Sequence, residues 1–105
     1  MTPEQSYIQF CCTIYGCVIC RRPGVVTPDG VFSYGEYHHL LHAGKRIGPM
    51  DGFGLCSTHH RFGGSGHIAR GTNQKKFERA YGTEADMLAE VKAAYDKFCQ
   101  DKVLP

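Results

Sequence analysis

Two short metal-ligand spacings, Cys17-x2-Cys20 and Cys56-x2-His59, constrain this 105-residue chain more than any other feature. An x2 turn aims two soft ligands at one ion, and 35 residues lie between the two pairs. A single shared ion would therefore tie an early segment to the middle of the chain, and Cys3His is a tetrahedral donor set typical of structural zinc. The alternatives for 6 cysteines are three disulfides or unligated buried thiols. The apolar stretch from Phe10 to Ile19 lacks the basic flank and cleavage site of a signal peptide, which favours reduced thiols in a cytoplasmic protein. Cys11, Cys12 and Cys99 then read as core thiols. A chain of this length buries only about 60–70% of its unfolded surface, so a metal staple would matter. No apolar run approaches the roughly 20 residues of a membrane helix, and the 42% hydrophobic content is that of a globular domain.

Local signals place these ligands. Thr2-Pro3-Glu4-Gln5 is a helix start with a capping box and proline at the first helical position, predicting a helix over 3–15 that Gly16 ends. Short strands are expected at 25–27 and 31–34 around a Pro28-Asp29-Gly30 turn, and a third at 36–41. A loop at 43–49, rich in glycine and base, leads to an apolar strand at 53–56 that pairs back. Ser57 is the expected N-cap of a helix bearing His59, His60 and Arg61, which stops at Gly63-Gly64-Ser65-Gly66. A short helix over 73–81 closes at Gly82, and Thr83-x-x-Asp86 starts a longer one reaching about Lys102. Its Met87, Leu88, Val91, Tyr95 and Phe98 form one stripe that reads as core packing, as do Phe77 and Tyr81.

The formal net charge of +2 hides a segregation. Residues 38–79 carry seven basic against two acidic side chains and also hold all 6 histidines, whereas both flanks are net acidic. A basic surface coinciding with metal ligands suits a site that binds and works on a polyanion, although five surplus charges alone describe any solvated surface. Hydrolysis of a phosphodiester needs a cation to take up charge on the phosphate and a base to activate water. Neutral imidazole serves both purposes.

The order Cys17-x2-Cys20, His38-His39, Gly44-Lys45-Arg46, Asp51, Leu55-Cys56-x2-His59-His60-Arg61, Gly66-His67 and Phe77-x3-Tyr81-Gly82 resembles the HNH endonucleases. Within them it is most similar to the phage recombination-enhancement, RecA-dependent nucleases. The resemblance implies an α+β fold in a single small domain with a ββα-metal, treble-clef-like core. An N-terminal helix (1–16) would precede zinc knuckles and core (17–71), with C-terminal helices after them (72–105). It further implies that His39 is the general base, that His38, His60 and His67 hold a catalytic Mg2+, Mn2+ or Zn2+, and that Cys17, Cys20, Cys56 and His59 hold structural zinc. Asp51 stands where the family has an asparagine, and it could orient His39 or ligate metal. His59 replaces a usual fourth cysteine, an exchange zinc tolerates.

Adjacent strand residues point to opposite faces, so convergence of His38 and His39 requires a twist or a strand end. Lys45, Arg46, Arg61 and Arg70 are the expected phosphate contacts; His42 reads as a loop residue. The expectation is a monomeric DNA endonuclease encoded by a bacterial host or prophage, acting on DNA or RecA-bound DNA, with backbone-dominated binding and no membrane partner. The alternative is a zinc-stabilised module that binds nucleic acid or protein without cleaving it. That reading explains the knuckles but not the further histidines.

Overall fold

The computed structural model describes residues 2–21, 34–42, 45–46, 48–63 and 68–103. Helix α1 (Pro3–Gln9) begins with the expected capping box: the Thr2 hydroxyl accepts from the Gln5 N–H at 3.1 Å, and the Gln5 side chain accepts from the Thr2 N–H at 3.0 Å. The chain then widens into a π-helical segment, Phe10–Tyr15, where one α-helix to Tyr15 was expected. Thr13 and Ile14 are weak helix formers, and the Cys12 carbonyl turns outward to accept from the Gly35 N–H at 2.8 Å. Gly16, at φ 74°, supplies the left-handed residue that ends the segment.

Strands β1 (Glu36–His39) and β4 (Gly52–Leu55) form an antiparallel pair, with His38 opposite Phe53 and His39 opposite Gly52. The expected strand 36–41 breaks at Leu40, whose N–H donates to the Asp51 carbonyl at 2.9 Å. Beyond it β2 (Leu41–His42) pairs with β3 (Lys45–Arg46), a two-residue strand within the segment expected to be loop. The strands expected at 25–27 and 31–34 lie outside the described residues, except Tyr34, which belongs to no strand.

Strand alternation sorts the β1–β4 pair into two faces. Glu36, His38, Phe53 and Leu55 share one; Tyr37, His39, Gly52 and Gly54 share the other. The second face accepts the N-terminal helix because it carries glycines. A Cβ on Gly54 would collide with the Cys11 carbonyl oxygen, and the Tyr7 hydroxyl donates to the Gly52 carbonyl at 2.8 Å. All four residues of β4 are buried.

A second π-helical turn (Thr58–Phe62) follows β4 and ends at Gly63. Ser57 occupies its N-cap position but makes no capping hydrogen bond; instead the His60 N–H donates to the Cys56 carbonyl at 2.8 Å. Helix α2 (Gln74–Tyr81) starts as expected, the Asn73 side chain accepting from the Lys76 N–H at 3.0 Å, and stops at Gly82. Helix α3 (Glu84–Val103) is capped by the Thr83 hydroxyl, which accepts from the Asp86 N–H at 3.2 Å.

The core joins these elements. Tyr7, Val18, Ile19, Phe53, Leu55, Phe77, Met87 and Val91 are fully buried, with Leu88, Tyr95 and Phe98 packed against them. The expected α3 stripe is thus core. Cys11 is buried as expected, while Cys12 and Cys99 are only half-buried. The whole is a small α+β domain in which one two-stranded sheet sits between the N-terminal helix and the turn that carries His59 and His60. Among the described residues no helix is long and apolar enough to cross a membrane.

Candidate metal centre

The first knuckle follows Gly16, where the Val18 N–H donates to the Gly54 carbonyl at 3.0 Å. This bond sets residues 17–20 beside the end of β4, and hence beside Cys56. The ligand atoms of Cys17, Cys20, Cys56 and His59 all lie within 4.8 Å of one another. His59 Nδ1 is 3.6 Å from Cys17 Sγ, 3.5 Å from Cys20 Sγ and 3.3 Å from Cys56 Sγ; the Cys20 and Cys56 sulfurs are 3.8 Å apart. A tetrahedral zinc with ordinary bond lengths has edges of about 3.8 Å between sulfurs and about 3.6 Å between sulfur and nitrogen. The four residues therefore cluster in a geometry able to hold a metal ion such as zinc.

Charge and burial agree with that use. The Cys56 thiol is pulled down to about 3, chiefly by the hydrogen bond from Cys17, with His59 adding to it against the opposing effect of burial. The same hydrogen bond and burial push Cys17 up. The pair thus keeps one thiolate, the form that binds metal. His59 is fully buried, its ring edge-on to Tyr81 at 5.5 Å.

A second cluster adjoins the first. His60 follows His59 on the π turn, and its ring meets that of His38 at 5.2 Å. Each ring has a carboxylate on one nitrogen: His38 Nε2 lies 3.0 Å from Glu84 Oε2, and His60 Nδ1 lies 3.0 Å from Glu36 Oε1. Each carboxylate also takes an arginine. Arg70 donates to Glu84 at 2.9 Å, and Arg61 forks onto both oxygens of Glu36. Burial raises both carboxyl groups, yet these imidazole and guanidinium partners outweigh it and hold Glu36 and Glu84 below the ordinary carboxylate value. Carboxylate-bound imidazoles are the arrangement that orients histidine toward a cation through its other nitrogen.

The structure places His39 apart from this pair. His39, the last residue of β1, leans on Tyr37 at 4.9 Å on the face opposite His38. Its Nδ1 is buried without a hydrogen-bond partner among the described residues. Burial first, then the charges of Arg46 and His38, keep it below the ordinary imidazole value, so it is neutral at pH 7. Asp51 bonds Lys92 of α3 at 3.2 Å. Lys45 and Arg46 are exposed on β3, whereas Arg61 and Arg70 are engaged with carboxylates. His67 and the side chain of His42 lie outside the described residues.

Glu36 and Glu84 were absent from the expected site. Glu36 precedes His38 by two residues and so shares its strand face, a signal that alternation alone carries. Glu84 had no such signal: it lies 46 residues beyond His38 and looked like part of a helix cap. Compared with protein-family models, curated proteins and solved structures, the chain has no significant match.

Proposed function

We propose that this chain is a metal-dependent HNH endonuclease that hydrolyses DNA phosphodiester bonds, most like the phage recombination-enhancement nucleases. The observation that carries the reading is the pair His38 and His60, set on a strand and on the turn after its partner strand, and each backed by a carboxylate. Cys17, Cys20, Cys56 and His59 hold a structural zinc in this reading, and the turn that supplies His59 also delivers His60. His38 and His60, with His67, hold the catalytic ion through the ring nitrogens that Glu84 and Glu36 leave open. That ion, Mg2+, Mn2+ or Zn2+, supplies charge neutralisation at the scissile phosphate.

His39 removes the proton from the attacking water, and its depressed proton affinity keeps it in the neutral form a base requires. It ends β1 on the face opposite His38, so in this reading it acts from the strand end rather than across the sheet. Lys45 and Arg46 contact the DNA backbone from β3. Asp51, bonded to Lys92, fixes the β4 end of the connection that includes β2 and β3, a positioning role.

Nicking of supercoiled plasmid with Mg2+ or Mn2+, with and without RecA filaments, tests the proposal. The parent cuts, and His38→Ala and His39→Ala do not. A zinc-loaded parent that fails to cut under all these conditions overturns it, while full activity in His39→Ala removes the base. One observation favours the non-cleaving zinc module instead: Glu84, buried beside His38 and bonded to the half-buried Arg70, ties α3 to β1, a packing role in its own right. In that reading the two pairs are purely structural and plasmid is bound but never cut.

A further inference from the structure

Helix α2 places Lys75, Lys76 and Arg79 on one exposed side. At about 100° per residue these three fall within an arc of about 100°, and Phe77, fully buried, points roughly the opposite way. Lys75 and Arg79 are i, i+4 neighbours and Lys76 and Arg79 are i, i+3 neighbours, so the three positive charges repel one another. Among the described residues none of them has a carboxylate partner. The one acid of α2, Glu78, accepts from the Glu84 N–H at 3.0 Å and so caps α3 rather than neutralising this side. By contrast Arg61, Arg70 and Lys92 each have a carboxylate within 3.2 Å.

The helix is also anchored to the turn bearing His60. The Arg70 N–H donates to the His59 carbonyl and the Gly71 N–H to the His60 carbonyl, both at 2.8 Å, and Asn73 then caps α2. An uncompensated cationic side, held next to the proposed site, is complementary to a polyanion. Lys75 and Arg79 are separated by about 6 Å along the helix, enough to meet successive phosphates of one strand.

We propose that this side of α2 docks the phosphate backbone of DNA, and that Lys75, Lys76 and Arg79, rather than Arg61 and Arg70, carry the electrostatic part of binding together with β3. The choice of DNA rests on the endonuclease reading; the charge argument does not. The test uses the full, zinc-loaded chain and a fluorescent duplex, with affinity measured by anisotropy from about 50 to 200 mM salt. The triple variant Lys75→Gln, Lys76→Gln, Arg79→Gln keeps good helix formers, and circular dichroism verifies its fold.

Each lost phosphate contact removes about 0.9 from the slope of log affinity against log salt, so the triple variant is shallower by about 2 to 3 and binds at least about tenfold more weakly at the lower salt. Arg70→Gln leaves the slope unchanged. An unchanged slope in the triple variant overturns this inference whether or not the parent cuts plasmid. A parent that binds with the predicted dependence but never cuts supports this surface and overturns the endonuclease reading. A parent with no affinity for duplex DNA overturns both.

Discussion

The Cys3His cluster and the His38–His60 pair lie side by side and are built on opposite principles. In the first, four soft donors converge on one point at tetrahedral spacings, and His59 is fully buried. In the second, two imidazoles meet edge to face and spend one nitrogen each on a carboxylate. A closed set of donors holds an ion for the fold's benefit; an open set leaves room for a reactant. The contrast teaches that one short turn serves both, His59 facing one cluster and His60 the other.

The largest effect that can break this contrast is metal removal. Structural zinc binds with about 10–16 kcal/mol in small fingers, which matches or exceeds the 5–15 kcal/mol stability of ordinary domains. Chelated protein, or Cys56→Ser, is expected to lose its cooperative thermal transition, whereas His60→Ala keeps both the transition and one zinc per chain by elemental analysis. A sharp melt in fully chelated protein would remove the distinction between the clusters.

Next is Glu84→Gln, which leaves His38 and Arg70 without their charged acceptor in a site whose carboxylate is only 10% exposed. The expected loss is about 1–3 kcal/mol in urea denaturation. Glu36→Gln sharpens the comparison from the other side. Its carboxylate is 37% exposed, so solvent screening limits the loss to below about 1 kcal/mol. If the imidazoles hold an ion, it also weakens Mn2+ binding by about 10–100-fold in calorimetry. Equal stability losses in the two variants would mean that burial does not separate them.

The smallest effect concerns His39. Because the fold disfavours its protonated form, the unfolded chain binds more protons at this residue below the ordinary value of 6.5. Its contribution to stability is therefore complete above that pH and declines as pH falls below it. NMR titration of the ring should give a midpoint below 6.5, moved upward by Arg46→Gln; a midpoint above 6.5 would contradict the assigned environment.

What was legible in the sequence is what local chemistry specifies. Thr2, Asn73 and Thr83 announce helix starts through side-chain oxygens that reach only three residues, and the cysteine spacings announce a shared ion. The Glu84 contact to His38 is different, because nothing near Glu84 encodes its partner and only the packing of α3 on the sheet brings them together. That packing also pairs Arg70 with Glu84, and β1 supplies Glu36 to the still exposed Arg61; a charge count cannot tell a free cation from one already answered by a carboxylate. The π-helical segments escaped notice for a related reason. Beyond local propensity, their carbonyls also answer outside partners, such as Gly35 on the Cys12 carbonyl.

The wide separation of the two knuckles has a consequence for synthesis. Cys17 and Cys20 leave the ribosome 39 residues before His59 completes the set. At about 5–20 residues per second that interval lasts about 2–8 s. During it the first pair can offer an ion only two of four ligands, and the Val18 N–H has no Gly54 carbonyl to meet. The four donors can therefore meet at one point only after the middle of the sequence has been made, which would make capture of an ion there a folding-coupled event rather than the seed from which the domain grows.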